Sequence, residues 1–213
     1  KGELERLLAE IGRGEHQLMV GTQMLAKGHH FANLTLVAIV NADSGLFSAD
    51  FRSLERMAQL LVQVAGRAGR EKRGEVIVQT HHPTNPLLQL LLQKGYTEFA
   101  LALLNERKLA AMPPFAHLAL LRAEAVQSSL PMEFLQQVKQ ILDTQKNNLI
   151  QIYGPVPATM ERKAGKYRSQ LLLQSPQRAA LHTALKPLMM QISTLPTTRR
   201  VRWSLDIDPQ EII

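Results

Sequence analysis

The 213 residues include no cysteine and a single tryptophan. Without thiols there are no disulfides and no thiolate metal sites, a composition that agrees with a reducing compartment. Aromatic residues make up only 5% of the chain, so the strands lack the stacking platform of an RNA-recognition sheet. No apolar run approaches the roughly 20 residues that cross a bilayer, and the opening Lys1-Gly2-Glu3-Leu4-Glu5-Arg6 has no apolar secretion signal. A cytoplasmic protein with no membrane partner is expected. Repeats and low-complexity tracts are absent. So is the phosphate-cradling Gly-x-x-x-x-Gly-Lys-Ser/Thr loop: Gly165-Lys166 has Met160 where the first glycine is required. No Asp-Glu pair follows a strand to hold Mg²⁺.

What is present is a chain with 45% hydrophobic residues and a formal charge of +7. That apolar share supports one large core or two small ones. The charge is uneven: residues 1–110 hold 13 Lys/Arg against 11 Asp/Glu, and residues 111–213 hold 12 against 7. A basic second half raises the expectation of a polyanionic partner.

Glu3 to Ile11 reads as part of a helix with no linker before it, which suggests that something precedes it. Leu18-Met19-Val20 and Leu34 to Val40 are short, branched and nearly continuous in apolar character, as strands buried on both faces of a parallel sheet are. A helix fits Ser53 to Ala65, with Leu54, Met57, Ala58, Leu61 and Val62 on one stripe. Glu75 to Gln79 reads as a third strand, and helices are expected from about Asn85 to Lys94 and Thr97 to Leu109. This is an α/β pattern with a partial parallel sheet. Met112-Pro113-Pro114-Phe115 breaks the chain, giving a first domain over 1–110 and a second over 111–213. There, strands over His117 to Ala125, Ile150 to Met160, Tyr167 to Gln174 and Arg199 to Ile207 alternate with helices over Leu130 to Gln145 and Pro176 to Ile192. That order, β-α-β-β-α-β, is the ferredoxin-like plait. Pro187 is expected to kink or split the second helix.

Three segments carry candidate chemistry. In Gln63-Val64-Ala65-Gly66-Arg67-Ala68-Gly69-Arg70, two arginines three apart share a helical turn, so both planar guanidinium groups reach one anion. Gly21-Thr22-Gln23-Met24-Leu25-Ala26-Lys27-Gly28-His29-His30-Phe31 lies between two apolar runs, where α/β sheets place ligands at strand ends. In Glu161-Arg162-Lys163-Ala164-Gly165-Lys166-Tyr167-Arg168, four cations can track a phosphate backbone and Tyr167 can stack on a base. Arg199, Arg200 and Arg202, beside Trp203, add to that charge. A helix ending in a solvated Gly-Arg tail, an ordinary loop and a solvated hairpin remain the plain alternatives. His29-His30 and His81-His82 are not expected to bind metal, because neighbouring side chains in extended chain point apart.

The first two segments together resemble motifs V and VI of superfamily-2 helicases. With Ala42-Asp43, Met112 to Phe115, Tyr153-Gly154-Pro155 and Asp206-Ile207-Asp208-Pro209, the whole chain resembles the C-terminal part of the PriA (primosomal protein N′) family of bacterial replication-restart helicases. The resemblance implies part of a second RecA-like motor lobe followed by the ferredoxin-like DNA-binding domain. It implies that Arg67 and Arg70 approach the ATP γ-phosphate with Gln63 beside them, that Gly28 to His30 lie near nucleotide, and that Thr22, Gln23 and Lys27 contact DNA. His30 stands where related motifs often carry Asp, and Ala32 where proline is common. ATP and Mg²⁺ would need the first motor lobe, and the family's zinc element also lies outside this chain, so these residues alone are not expected to hydrolyse ATP. Forked or single-stranded DNA, primosome proteins and single-strand-binding proteins are the implied partners. A non-catalytic nucleic-acid-binding module and a docking platform are the competing readings.

Overall fold

The computed structural model describes residues 2–21, 35–48, 50–66 and 75–212, with only the backbone of Leu4 and Leu8. The chain divides into two compact units, Lys1–Leu103 and Leu104–Ile213.

In the first unit, α1 spans Gly2–Gly12, and β1 (Leu36–Ile39) pairs in parallel with β2 (Glu75–Val78), Leu36 opposite Glu75 and Ile39 opposite Val78. Between them lie the short α2 (Asp43–Leu46) and α3 (Ser53–Ala65). Asp50 anchors the start of α3: it is 7% exposed, its Oδ1 accepts from the backbone of Arg52 at 3.1 Å, and its Oδ2 accepts from Arg56 Nη1 at 3.0 Å. A carboxylate belongs at this end because the first backbone N–H groups of a helix lack partners. Next comes α4 (Pro86–Lys94), whose Asn85 Oδ1 accepts from the backbone of Leu87 and Leu88, with proline in the first turn. Gly95, at φ +87°, ends it. Helix α5 follows over Tyr96–Leu109.

Met57, Ala58 and Leu61 of α3 pack with Leu88, Leu91, Phe99 and Leu103 to form this unit's core. Val62 falls on the outer edge of the expected stripe, 45% exposed, and Val64 is buried instead. Two strand expectations need correction. Leu18 and Val20 are 83% and 90% exposed in non-strand backbone, with no ladder partner among the described residues, and apolar character without a partner strand does not make a strand. Nor are β1 and β2 buried on both faces. Their residues alternate between exposed and half-buried.

The second unit runs β3 (His117–Ala125), α6 (Leu130–Thr144), β4 (Gln151–Lys163), β5 (Lys166–Ser175), α7 (Arg178–Ile192), a 3-10 turn at Pro196–Arg200, and β6 (Arg202–Ile207). The strands form one antiparallel sheet in the order β4-β5-β3-β6. Ala119, Leu121 and Ala123 of β3 and Leu171 and Leu173 of β5 face Leu130, Phe134, Leu135 and Val138 of α6 and Leu181, Leu185 and Leu188 of α7. Each such leucine or phenylalanine contributes about 1.5–3 kcal/mol by leaving water.

Pro187 does not split α7. The carbonyl it leaves without an N–H partner is four residues back at Thr183, and both residues are exposed, so water can satisfy it. The last strand also starts later than expected, because Arg199 and Arg200 belong to the 3-10 turn that opens at Pro196. In β4, Gly154 at φ +100° lies at a register break between Tyr153 and Val156. A Cβ there would come within 3.1 Å of the Gln170 carbonyl oxygen, so only glycine fits the bulge.

Candidate nucleic-acid interface

Strands β4 and β5 meet at Ala164-Gly165. Both residues have positive φ, 49° and 78°, as a two-residue hairpin turn demands of its central pair. Lys163 pairs with Lys166 and Arg162 with Tyr167 across the hairpin. Side chains alternate between faces along a strand, so the cations divide. Lys163, Lys166 and Arg168 lie on the face opposite the helices, and Arg162 and Tyr167 lie on the helix side.

Tyr167 and Arg162 form a unit of their own, with the guanidinium carbon 5.3 Å from the ring centroid. One face of the tyrosine ring therefore carries an arginine. The tyrosine acts as a backing for the cation.

The register then links two segments far apart in sequence. Glu124 on β3 is opposite Arg168 on one side and Arg202 on the other. Lys166 Nζ lies 3.1 Å from Glu124 Oε1, and Arg202 Nη1 lies 3.5 Å from the same oxygen. Arg200 Nη2 donates to Gln127 Oε1 at 3.1 Å, just beyond the end of β3. Arg162, Lys163, Lys166, Arg168, Arg200 and Arg202 thus gather at one end of the sheet, with Lys166 and Arg202 sharing the Glu124 carboxylate. Exposed ion pairs of this kind are worth only about 0–1 kcal/mol, so they leave the cations free to exchange partners. Arg122 differs. It pairs with Asp206 at 3.1 Å and donates to the Glu211 carbonyl at 2.6 Å, which spends its charge inside the fold.

The other expected site residues are placed less fully. Gln63 is exposed on the last turn of α3. Thr22, Gln23, Lys27, Gly28, His30, Arg67 and Arg70 lie outside the described residues. Glu124, the acid on which the basic end converges, was missed by sequence reasoning. Its only signal was its place, with Arg122, on a largely apolar strand.

A second polar cluster lies at the carboxyl ends of β1 and β2. Asp43 accepts from the Thr80 hydroxyl through Oδ1, and through Oδ2 from the His81 backbone N–H at 3.0 Å and His81 Nδ1 at 2.7 Å. These bonds, the Thr80 hydroxyl first, hold its acid strength at a pKa of about 2. The His82 ring meets Phe47 edge-on, with centroids 4.5 Å apart. No group of three or more His, Cys, Asp or Glu among the described residues is arranged to hold a metal ion, and no described helix is long and apolar enough to cross a membrane.

One unit holds a four-stranded antiparallel sheet with a cationic end and the other a pair of parallel strands, which together make a mixed α/β protein. Residues 108–210 match the family described as primosomal protein N C-terminal domain. Similarity continues over the rest of the chain. The chain is 50% identical over its full length to Replication restart protein PriA of Haemophilus influenzae, covering 29% of that protein. It is 38% identical over its full length to the PriA of Synechocystis, covering 25%, and 34% identical over 98% of its length to that of Bacillus subtilis, covering 26%. The chain resembles the C-terminal part of PriA replication restart proteins, and it spans less than a third of the length of these relatives. Among solved structures, the de novo designed protein Foldit4 superposes on 45% of the chain at 4% identity and a TM-score of 0.35, a likeness too slight to inform the fold.

Proposed function

We propose that this chain is the C-terminal portion of an ATP-dependent 3′-to-5′ DNA helicase that acts in replication restart and primosome assembly in the cytoplasm. Residues 1–110 form part of the second RecA-like motor lobe, and residues 111–213 form a ferredoxin-like DNA-binding domain. The observation that carries the DNA reading is the convergence of the Arg162 to Arg168 hairpin and Arg200-Arg202 on one end of the sheet. Cations so arranged suit a phosphate backbone, and they position a strand without reading its bases. Forked or single-stranded DNA is the expected ligand, with primosome and single-strand-binding proteins as partners of the whole enzyme.

Motor chemistry rests on the sequence and the family match. Arg67 and Arg70 would approach the ATP γ-phosphate from this lobe, where guanidinium groups stabilise charge on the transferred phosphoryl, with Gln63, Gly28 and His30 beside the nucleotide. Thr22, Gln23 and Lys27 would face the DNA strand. ATP and Mg²⁺ need the phosphate loop and acidic pair of the other lobe, and this chain by itself should not hydrolyse ATP.

A salt titration of DNA affinity tests the interface. Each neutralised phosphate releases counterion, giving a log–log slope of roughly 0.7 per contact on single strands and 0.9 on duplex. Replacing Arg162, Lys163, Lys166 and Arg168 together by alanine should weaken binding on every sequence and flatten that slope. Equal slopes would show the hairpin to be merely solvated.

A further inference from the structure

Resting on the nucleic-acid reading, we propose that Tyr153 is a stacking surface for one base of a single strand whose phosphates lie on Lys163, Lys166 and Arg168. The register of the sheet places these residues together. Tyr153 is opposite Leu172 and Val156 is opposite Gln170, and on β5 these partners alternate with Leu171 and Leu173, which face the helices. Tyr153 and Val156 therefore lie on the face away from the helices, which also carries Lys163, Lys166 and Arg168. In a regular strand two residues three apart point to opposite sides. The extra residue at the Gly154 bulge brings this pair to the same side.

The ring is both open and held. Tyr153 is 49% exposed and Val156 46%. Tyr153 Oη donates at 2.6 Å to Gln151 Oε1, two residues back on the same face, so the ring is tethered at its tip as well as at Cβ. A tethered aromatic gives up little side-chain freedom when a base lies against it. Tyr167 has a guanidinium against its ring, whereas among the described residues no cation and no second ring stacks on Tyr153.

Neighbours define the path and the ligand. Gln170 Nε2 donates to the Ile212 carbonyl at 3.1 Å and Arg122 Nη2 to that of Glu211, so these two residues lie over β5 and β3 and leave the β4 side open. Along β5 the step from Arg168 to Leu172 spans about 13 Å. About four nucleotides cover that distance at a stacked rise of ~3.4 Å, so one strand reaches from the cations to the ring. A duplex keeps its base faces stacked on one another, so the ring selects an unpaired strand. Every base has a π-face, so it does this without regard to sequence. An added peptide strand is disfavoured: β4 is at the edge of the sheet, but Pro155 and Pro157 remove backbone donors and the bulge breaks its line.

The test uses the whole 213-residue chain and two probes of equal length and charge, an oligothymidylate and an abasic deoxyribose-phosphate strand. Tyr153→Ala should weaken thymidylate binding about tenfold, the scale of one stacked base. Tyr153→Leu keeps apolar area without a ring and should lose about as much, while Tyr153→Phe should bind like the parent. None of the three should alter abasic binding or the salt slope, and unchanged abasic binding also shows that each variant is folded. On irradiation, a 5-iodouracil-substituted strand should couple to Tyr153. Equal losses on both probes, no loss in the alanine variant, a leucine variant that binds like the parent, or coupling only elsewhere would overturn the stacking. The basic-hairpin reading fails separately. If the fourfold hairpin variant keeps the parent salt slope while thymidylate-specific losses at Tyr153 remain, the hairpin reading falls, and with it the path from the cations, while the stacked base stands. A flattened slope with no thymidylate-specific loss removes the stacking alone, and a parent chain that does not bind oligothymidylate removes both.

Discussion

The two units solve the same problem to different depths. In the second, four antiparallel strands are packed against two helices, and Leu118, Leu120, Leu121, Leu171 and Leu173 are each no more than 1% exposed. In the first, the parallel pair leaves Leu36 49% and Ile77 53% exposed, while the tight packing lies among helices α3, α4 and α5. A sheet gains stability from cross-strand pairs and from a covered face, and two short strands supply little of either. The second unit is built as a platform for a surface. The first leaves polar groups such as Asp43 and His81 at the ends of its strands.

The largest effect expected from this contrast is chemical and belongs to the first unit. In the full-length protein, Arg67→Ala or Arg70→Ala should lower ATP turnover by roughly 10³ to 10⁵, with a far smaller loss of nucleotide binding, as measured by steady-state ATPase and nucleotide titration. Arg70→Lys should rescue poorly, because an ammonium lacks the planar fork. Near-normal turnover in both alanine variants would make the arginines structural.

Stability comes next. Phe134→Ala in the second unit should cost about 3–5 kcal/mol in urea unfolding, through a cavity in a fully buried site, whereas half-exposed Leu36→Ala should cost about 1 kcal/mol. Similar costs would contradict the difference in packing. Two glycines sharpen the point at an intermediate scale. Gly154→Ala places a Cβ against the Gln170 carbonyl at positive φ, and Gly45→Ala places one 2.7 Å from Met57 Cβ. Each should cost about 1–3 kcal/mol, the first by strain and the second by overpacking. Hydrogen exchange should assign the loss to the second unit for Gly154 and to the first for Gly45.

The smallest effect is acid sensitivity. Asp43 has its pKa lowered from the ordinary 3.8 to about 2, so its contribution is fully present above pH 4 and is lost as pH falls toward 2. Asp43→Asn should remove that part of the acid transition in the first unit. An unchanged acid profile would mean that its three bonds add nothing to stability.

Much of the fold was legible because the signals were local. Ser53 to Ala65 has a helical stripe, Asn85-Pro86 and Gly95 bracket a helix, and His117 to Ala125 forms a strand with the bounds its pattern suggests. Non-local contacts decided what was misread. Leu18 to Val20 lacks a described partner strand, and Pro187 survives in a helix because the carbonyl it orphans is exposed. The site shows the same division. The basic run from Arg162 to Arg168 is visible as composition, but the meeting of Arg168, Glu124 and Arg202 needs the register of three strands. Asp43 and His81 lie 38 residues apart, and only the pairing of β1 with β2 brings the histidine to the acid.

Glu124 gives the cationic end its own built-in counterion. Where Lys166 and Arg202 rest on one carboxylate oxygen, an incoming phosphate displaces a group attached to the protein rather than a salt ion from solution. Those two contacts therefore release little to the bulk, and the salt slope of the parent chain should fall short of the number of cations that touch the strand. Glu124→Gln would hand both cations back to mobile ions, so binding should tighten at low salt while becoming steeper in its dependence on it. If the cationic end grips DNA as proposed, the carboxylate would act as a governor on affinity, making that grip less sensitive to changes in ionic strength.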